Sequence, residues 1–170
     1  MSIRWIGALM IISACGTIGF AMAAAYRCEE QALRQVIRAM DYMACELHYH
    51  LTPLPELCRM AAEESSGCVA QLFQNLAREL NRQVRPDVQS CLNSAMERVQ
   101  DIPDKTRKAF QLLGAGLGKF DLEGQMKGLD AVRSFCRQEL ETLAVGRVQR
   151  LRSYQTLGLC SGAALAILFI

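Results

Sequence analysis

Residues 153–170 read SYQTLGLCSGAALAILFI, an apolar run without a charged side chain. Three arginines, Arg147, Arg150 and Arg152, stand just before it. At the rise of an α-helix such a run spans about 27 Å, near the lower limit for crossing a hydrocarbon core of about 30 Å. We therefore predict a C-terminal transmembrane helix at residues 153–170.

The other end of the chain is apolar as well. Ile6–Ala25 carries no charge, follows Arg4 and is bordered by Trp5 and Tyr26. This length and this aromatic edging are typical of a membrane-spanning helix. We predict an N-terminal transmembrane helix at residues 1–26.

Two alternatives for the first segment remain open. The small residues at positions 21–25 would suit a signal-peptide cleavage site. The tetrapeptide ISAC, which ends at Cys15, resembles a lipoprotein processing site and would make Cys15 the first mature residue. The apolar run continues for ten residues past Cys15, however, where a lipoprotein normally turns polar, so we prefer a retained helix.

Each apolar segment contains a pair of small residues at a spacing of four: Gly19 with Ala23, and Gly158 with Gly162. This spacing lets two membrane helices approach each other closely. We expect the two pairs to pack together within one chain. Packing against a neighbouring chain, or no packing role, are the alternatives.

Arginines crowd the inner flanks of both apolar segments. The outer flanks offer only Arg4 and the two chain termini, whereas the inner flanks carry Arg27, Arg34, Arg38, Arg137, Arg147, Arg150 and Arg152. Because positive charge favours the cytoplasmic side, residues 27–152 are predicted to be cytoplasmic, and both termini to lie on the outer side of the cell membrane.

The middle of the chain has a helical pattern throughout. Apolar residues recur at steps of three and four, as in Leu33, Val36, Met40, Met43 and Leu47, and no stretch alternates with period two. Prolines and glycines divide the pattern, and Thr52 is predicted to cap a helix whose first residue is Pro53. We predict an all-α fold, with a cytoplasmic bundle of about six helices between the two transmembrane helices.

Charge and cysteine content exclude several classes of function. A formal net charge of +2 is too small to indicate nucleic-acid binding. The eight cysteines form no C-x-x-C pair, so the central ones are predicted to be reduced thiols facing a cytoplasm.

Five glycines collect in one short region: Gly114, Gly116, Gly118, Gly124 and Gly128. Each costs about 1 kcal/mol relative to alanine if it is helical, so packing should compensate. Our hypothesis is that Gly114 with Gly118, and Gly124 with Gly128, form small stripes on two antiparallel helices that meet closely. A loose glycine-rich loop is the alternative.

No catalytic, cofactor or metal site is predicted. The run from Gly114 to Lys119 lacks the Ser or Thr that a P-loop needs after its lysine, and no strand precedes it. His48 and His50 are two residues apart and would point to opposite sides of a helix. Nothing near either histidine selects one of the cysteines as a nucleophile. We therefore expect neither an enzyme nor a binder of a small-molecule substrate.

The chain resembles a known family in two motifs and its C-terminal tail. The first motif is Thr52-Pro53-Leu54, and the second is the pattern of Leu113, Gly114, Leu117, Gly118, Asp121 and Gln125. Both resemble the stage III sporulation protein AB family of endospore-forming bacteria, which is similar to the helical F-type platform domains of type II secretion systems.

This resemblance implies a function and partners. A family member would be a membrane platform in the channel apparatus between mother cell and forespore. Its partners would be a cytoplasmic secretion ATPase, other membrane components of that channel and membrane lipid. An exported, membrane-anchored binding domain and a membrane-bound enzyme are the alternatives that the residues leave open.

Overall fold

The computed structural model describes residues 2–50, 52–82, 87–118 and 122–169; within these ranges, side-chain surroundings are described from Ala24 to Val145. Six helices and no strand occur in the described ranges, which confirms the all-α prediction. The helices are α1 (Ser2–Tyr49), α2 (Leu54–Glu63), α3 (Gly67–Arg82), α4 (Val88–Glu97), α5 (Asp104–Gly116) and α6 (Leu122–Phe169).

The chain divides into two compact units. One comprises Met1–Cys28 with Glu141–Ile170, and the other comprises Glu29–Leu140. Both predicted transmembrane helices belong to the first unit, where the side-chain packing of Gly19, Ala23, Gly158 and Gly162 lies outside the described residues. Within Ala24–Val145, the range in which side-chain surroundings are described, no helix contains a window apolar and long enough to cross a bilayer.

The unit Glu29–Leu140, which we call the bundle, has one apolar core. Along the chain, α2 packs on α3, α3 on α4 and α4 on α5. The ring centroids of Phe73 in α3 and Phe110 in α5 are 4.9 Å apart. The largest fully buried side chains are Phe73, Phe110, Leu33, Met40, Met43, Leu57, Leu72, Leu76, Leu92, Leu113, Leu117 and Leu129.

The predicted apolar stripes coincide with this core. All five apolar positions named for α1 are buried, as are Leu129, Val132 and Cys136 of α6. In α5, Leu113 is buried, but its apolar neighbour Leu112 is 38% exposed. Adjacent residues lie about 100° apart around a helix, so Leu112 lies beside the buried stripe that contains Leu113.

Local sequence explains where the short helices begin. The carbonyl oxygen of Pro53 accepts a hydrogen bond from the amide of Leu57 at 2.9 Å, and that of Pro103 accepts one from Arg107 at 2.9 Å. Each proline precedes its helix as the N-cap residue. Gly67, which begins α3, has a φ of +61°, a conformation that only glycine adopts readily.

Ion pairs join distant parts of the bundle. Arg133 of α6 binds Asp41 of α1 at 2.9 Å, and Lys105 of α5 binds Glu139 of α6 at 2.9 Å. Both pairs are partly exposed, so each contributes at most about 1 kcal/mol to stability. They fix the register of α1 and α5 against α6 more than they stabilise the fold.

Candidate functional site

The motif from Leu113 to Gln125 covers the end of α5, the following turn and the start of α6, a region that we call the α5–α6 corner. Leu113 and Leu117 are each only 1% exposed and belong to the core. Gln125 is half-buried, and Asp121 lies outside the described residues. The motif therefore places two apolar anchors beside glycines that the neighbouring helices approach.

Gly114 is the point at which α4 approaches α5. A Cβ atom built on Gly114 would lie 2.6 Å from Cδ2 of Leu92 and 2.8 Å from Oε1 of Gln89. Real Cβ atoms are not found at such distances, so a side chain here would require the side chains of Leu92 and Gln89 to move. The glycine thus lets two side chains of α4 pack directly on the backbone of α5.

Gly118 is required for two independent reasons. Its φ is +78°, in the left-handed region that side chains disfavour. In addition, a Cβ atom would lie 2.5 Å from Cγ2 of Val88, the first residue of α4. The turn after α5 therefore lies directly against the beginning of α4.

The closest approach of α5 and α6 occurs at a different glycine pair. A Cβ atom on Gly116 would lie 3.0 Å from Cα of Gly128, and one on Gly128 would lie 3.2 Å from Cα of Gly116. The hypothesis that Gly114 and Gly118 meet α6 was therefore wrong. Gly114 faces α4, and Gly118 is not helical because α5 ends at Gly116.

The Thr52-Pro53-Leu54 step connects α1 to α2. Thr52 does not cap α2, contrary to the sequence-based expectation, because Pro53 is the N-cap residue and no side chain caps the helix. The Thr52 hydroxyl instead donates a 3.4 Å hydrogen bond to Oε2 of Glu46 in α1. Pro53 is exposed and Leu54 is half-buried, so the step joins two helices with little side-chain burial of its own.

The described residues hold no cluster of three or more His, Cys, Asp or Glu that could bind a metal ion. His48 and His50 are exposed near the end of α1, where Nδ1 of His50 lies 3.2 Å from Glu46. Burial raises the pKa of the Cys58 thiol to about 12, and burial followed by the charge of Glu139 raises that of Cys136 to about 12. Both thiols are thus protonated at neutral pH and are poor nucleophiles.

One buried charged residue was not identified from the sequence. The carboxylate of Glu79 in α3 is 8% exposed and lies 2.9 Å from Arg98 and 3.5 Å from Arg82. The bond to Arg98 ties α3 to the end of α4. The three-residue spacing of Glu79 and Arg82 suggested an ordinary surface pair, and nothing in the sequence marked Arg98 as the second partner.

Comparison with known proteins supplies the identity that the geometry alone does not. The family model described as "Stage III sporulation protein AB" matches residues 4–170. The stage III sporulation protein AB of Bacillus subtilis (strain 168) is 21% identical over 171 residues, which cover 99% of this chain and 99% of the relative.

A solved structure titled stage III sporulation protein AB has a similar fold. The two superpose with a TM-score of 0.60 at 17% identity, over 69% of this chain and 94% of the solved one. At this level of identity the similarity establishes the fold alone. Because the family model extends over nearly the whole sequence, however, this chain belongs to the stage III sporulation protein AB family.

Proposed function

We propose that this chain is a non-enzymatic membrane platform of the channel apparatus between mother cell and forespore, where it docks a cytoplasmic secretion ATPase to the membrane. In this proposal both apolar ends cross the mother-cell membrane that faces the forespore. The bundle is cytoplasmic, and both termini lie on the outer side.

The composition of the two longest helices carries this proposal. The bounds of α1 include the apolar run Ile6–Ala25 as well as the core residues Leu33 to Leu47. The bounds of α6 likewise include core residues and residues 153–169 of the C-terminal apolar run. A chain whose core helices also contain long apolar runs is suited to hold a folded domain at a membrane.

The partner is inferred from what the family resemblance implies and from the chemistry of the bundle. The glycines of the Gly114–Gly118 run contact α4 and α6, and such packing does not form a phosphate-binding loop. Nucleotide chemistry is therefore assigned to the ATPase. The platform contributes a folded surface that this ATPase can bind.

The native thiol of Cys45 provides a test of topology, because it is exposed on α1 within the bundle. Intact protoplasts would be treated with a membrane-impermeant maleimide, and the labelled cysteines identified by mass spectrometry of peptides. We expect no label on Cys45 until the protoplasts are opened. The variant Cys45→Ser is the control for assignment of the labelled peptide.

Two results would contradict the proposal. Labelling of Cys45 in intact protoplasts would place the bundle outside and would favour the exported, membrane-anchored binding domain. If the bundle is cytoplasmic, the full-length chain in nanodiscs should retain the purified ATPase on an affinity column. Failure of that retention would remove the docking role.

A further inference from the structure

A groove with a volume of about 570 Å³ lies on the bundle between α1, the turn that joins α2 to α3, and Leu140 of α6. This volume is within the range of ligand-binding clefts in proteins and would accommodate a few side chains. The groove contains none of the residues of the two family motifs.

One wall of the groove is held in place by a pair of hydrogen bonds. The amide Nε2 of Gln35 donates to the hydroxyl of Ser66 at 2.7 Å, and the backbone N–H of Ser66 donates to Oε1 of Gln35 at 2.9 Å. These bonds fasten the α2–α3 turn, residues 64–67, to α1. Contacts within the chain therefore set the position of this wall.

The groove carries positive charge that the described residues only partly neutralise. Arg34 forms an ion pair with Glu30 at 3.0 Å. Arg38, one turn later on the same face of α1, is exposed and has no hydrogen bond or ion pair with any described residue. Like charges four residues apart on a helix repel each other, so an anion bound between them would be favoured.

Arg38 differs in this respect from most other arginines of the bundle. Arg59, Arg98 and Arg133 each bind a carboxylate of the same chain. Ile37 and Leu140 also line the groove, are half-buried and leave part of their aliphatic surface in it. The matching ligand therefore has a carboxylate next to an aliphatic side chain.

A second copy of this chain would present carboxylates, but in an unsuitable arrangement. Arg34, Arg38, Tyr42 and Glu46 follow each other at steps of four, so one face of α1 is basic at one end and acidic at the other. The pKa of Tyr42 is raised by burial and then by the charges of Glu46, Glu64 and Glu63, in that order. The carboxylates of these three residues therefore lie near the acidic end of the α1 face.

Pairing opposite ends of two such faces requires the two α1 helices to run antiparallel. Under the proposed function both copies are anchored in the same membrane through the same helix, and their α1 helices then run in the same direction. The α1 face therefore does not pair with itself in one membrane, and the proposal assigns the carboxylate to a different protein.

We propose that this groove binds a segment of the secretion ATPase in which an Asp or Glu side chain is next to Leu, Ile or Val. The carboxylate binds Arg38 and Arg34, and the aliphatic side chain contacts Ile37 and Leu140. This inference rests on the proposed function, because it takes the ATPase as the protein that carries the segment.

The test uses the full-length chain in nanodiscs with the purified ATPase. A benzophenone amino acid replaces Gln31, an exposed residue of the groove wall, or Gln111, an exposed control residue on α5. After irradiation, mass spectrometry identifies the crosslinked peptide. Arg38→Glu is compared with Arg107→Glu, a charge reversal at another exposed arginine without a described partner, and with Arg38→Lys, which keeps the charge.

We expect position 31, but not position 111, to crosslink to an ATPase segment that contains an acidic and an aliphatic residue. Losing a charge-assisted contact should lower the yield about tenfold in Arg38→Glu. Arg107→Glu should leave it unchanged, and Arg38→Lys should retain most of it. An unchanged helical signal in circular dichroism confirms that the variants are folded.

The possible failures are distinguishable. If the ATPase binds the wild-type chain and Arg38→Glu equally well, the groove assignment is wrong and the proposed function stands. If the ATPase does not bind the wild-type chain at all, both are wrong. A crosslink from position 31 to phospholipid or to a second copy of the chain would overturn the groove assignment alone.

Discussion

Two turns of the bundle each contain a glycine at positive φ. One of these glycines has open space around it, and the other is closely packed. Gly67 in the α2–α3 turn has a φ of +61°, and Gly118 in the α5–α6 corner has a φ of +78°. A Cβ atom on Gly67 would meet nothing within 4 Å, whereas one on Gly118 would lie 2.5 Å from Val88. The same backbone requirement thus serves an open turn beside a groove in one case and a closely packed corner in the other.

The difference separates two roles within one bundle. At the α5–α6 corner, glycines allow three helices to come close together, so this region sets the shape of the bundle. At the α2–α3 turn, polar side chains hold an exposed loop on α1 and leave space beside it. We therefore assign stability to the corner and binding to the turn, and the following predictions test that division.

The largest effect is expected for Gly118→Val. A β-branched residue at positive φ costs about 1–3 kcal/mol in backbone strain, and the clash with Val88 adds a similar amount for overpacking. Unfolding of the full-length chain in detergent, followed by circular dichroism, should give a free energy lower by about 4 kcal/mol. Gly67→Val is the matched control and should lose only the strain contribution. Equal losses for the two variants would contradict the description of the corner as closely packed.

A smaller loss is expected for Gly116→Gln at the contact between α5 and α6. The new side chain would separate the two backbones, at a cost of about 2 kcal/mol. Glutamine is a better helix former than glycine, so helix propensity alone would predict the opposite sign. The control is Ala115→Gln, because Ala115 is exposed on the same helix. If chemical denaturation finds Gly116→Gln as stable as Ala115→Gln, the contact between Gly116 and Gly128 does not contribute to stability.

The clash at Gly118 can be isolated by a double-mutant cycle with Val88. Gly118→Ala should be destabilising, and Val88→Ala should partly restore stability in that background, because Cγ2 of Val88 is the atom closest to the added Cβ. The expected coupling free energy is about 1 kcal/mol, from thermal or chemical unfolding of all four proteins. Strictly additive effects would mean that Gly118→Ala acts through backbone strain alone.

The smallest effect is expected for Gln35→Ala at the α2–α3 turn. Exposed hydrogen bonds contribute little, so the free energy of unfolding should fall by about 0.5–1 kcal/mol. Hydrogen exchange is the sharper measurement, because the amide of Ser66 donates to Gln35 and should lose protection. Gln31→Ala serves as the control and should change neither quantity. Unchanged exchange at Ser66 in Gln35→Ala would show that the two side chains do not hold the turn.

The helices and most of the core were predictable because both depend on local patterns. Steps of three and four identified the buried face of α1, and Pro103 and Gly67 marked where helices begin. These signals reside in neighbouring residues and need no knowledge of the fold. The exposure of Leu112 beside the buried Leu113 shows the limit, since an apolar side chain at the edge of a stripe can lie outside the core.

The partners of individual side chains were not predictable, because they depend on distant elements. The sequence drew attention to the glycines of the α5–α6 corner but paired the wrong ones, since the true pairing depends on where α5 ends. Thr52 was expected to cap α2, but its hydroxyl binds Glu46 of the preceding helix. The groove beside Gln35 and Ser66 could not be anticipated, because these residues are 31 positions apart.

The contact between Gly116 and Gly128 also bears on the order in which the bundle folds. The two glycines are 12 positions apart in the sequence, so bringing them together closes a short loop and loses little chain entropy. The ion pair of Asp41 and Arg133, by contrast, joins residues 92 positions apart. We therefore expect the α5–α6 hairpin to belong to the folding nucleus and α1 to dock last. Kinetic analysis should then find that Gly116→Gln mainly slows folding, whereas Asp41→Asn mainly speeds unfolding.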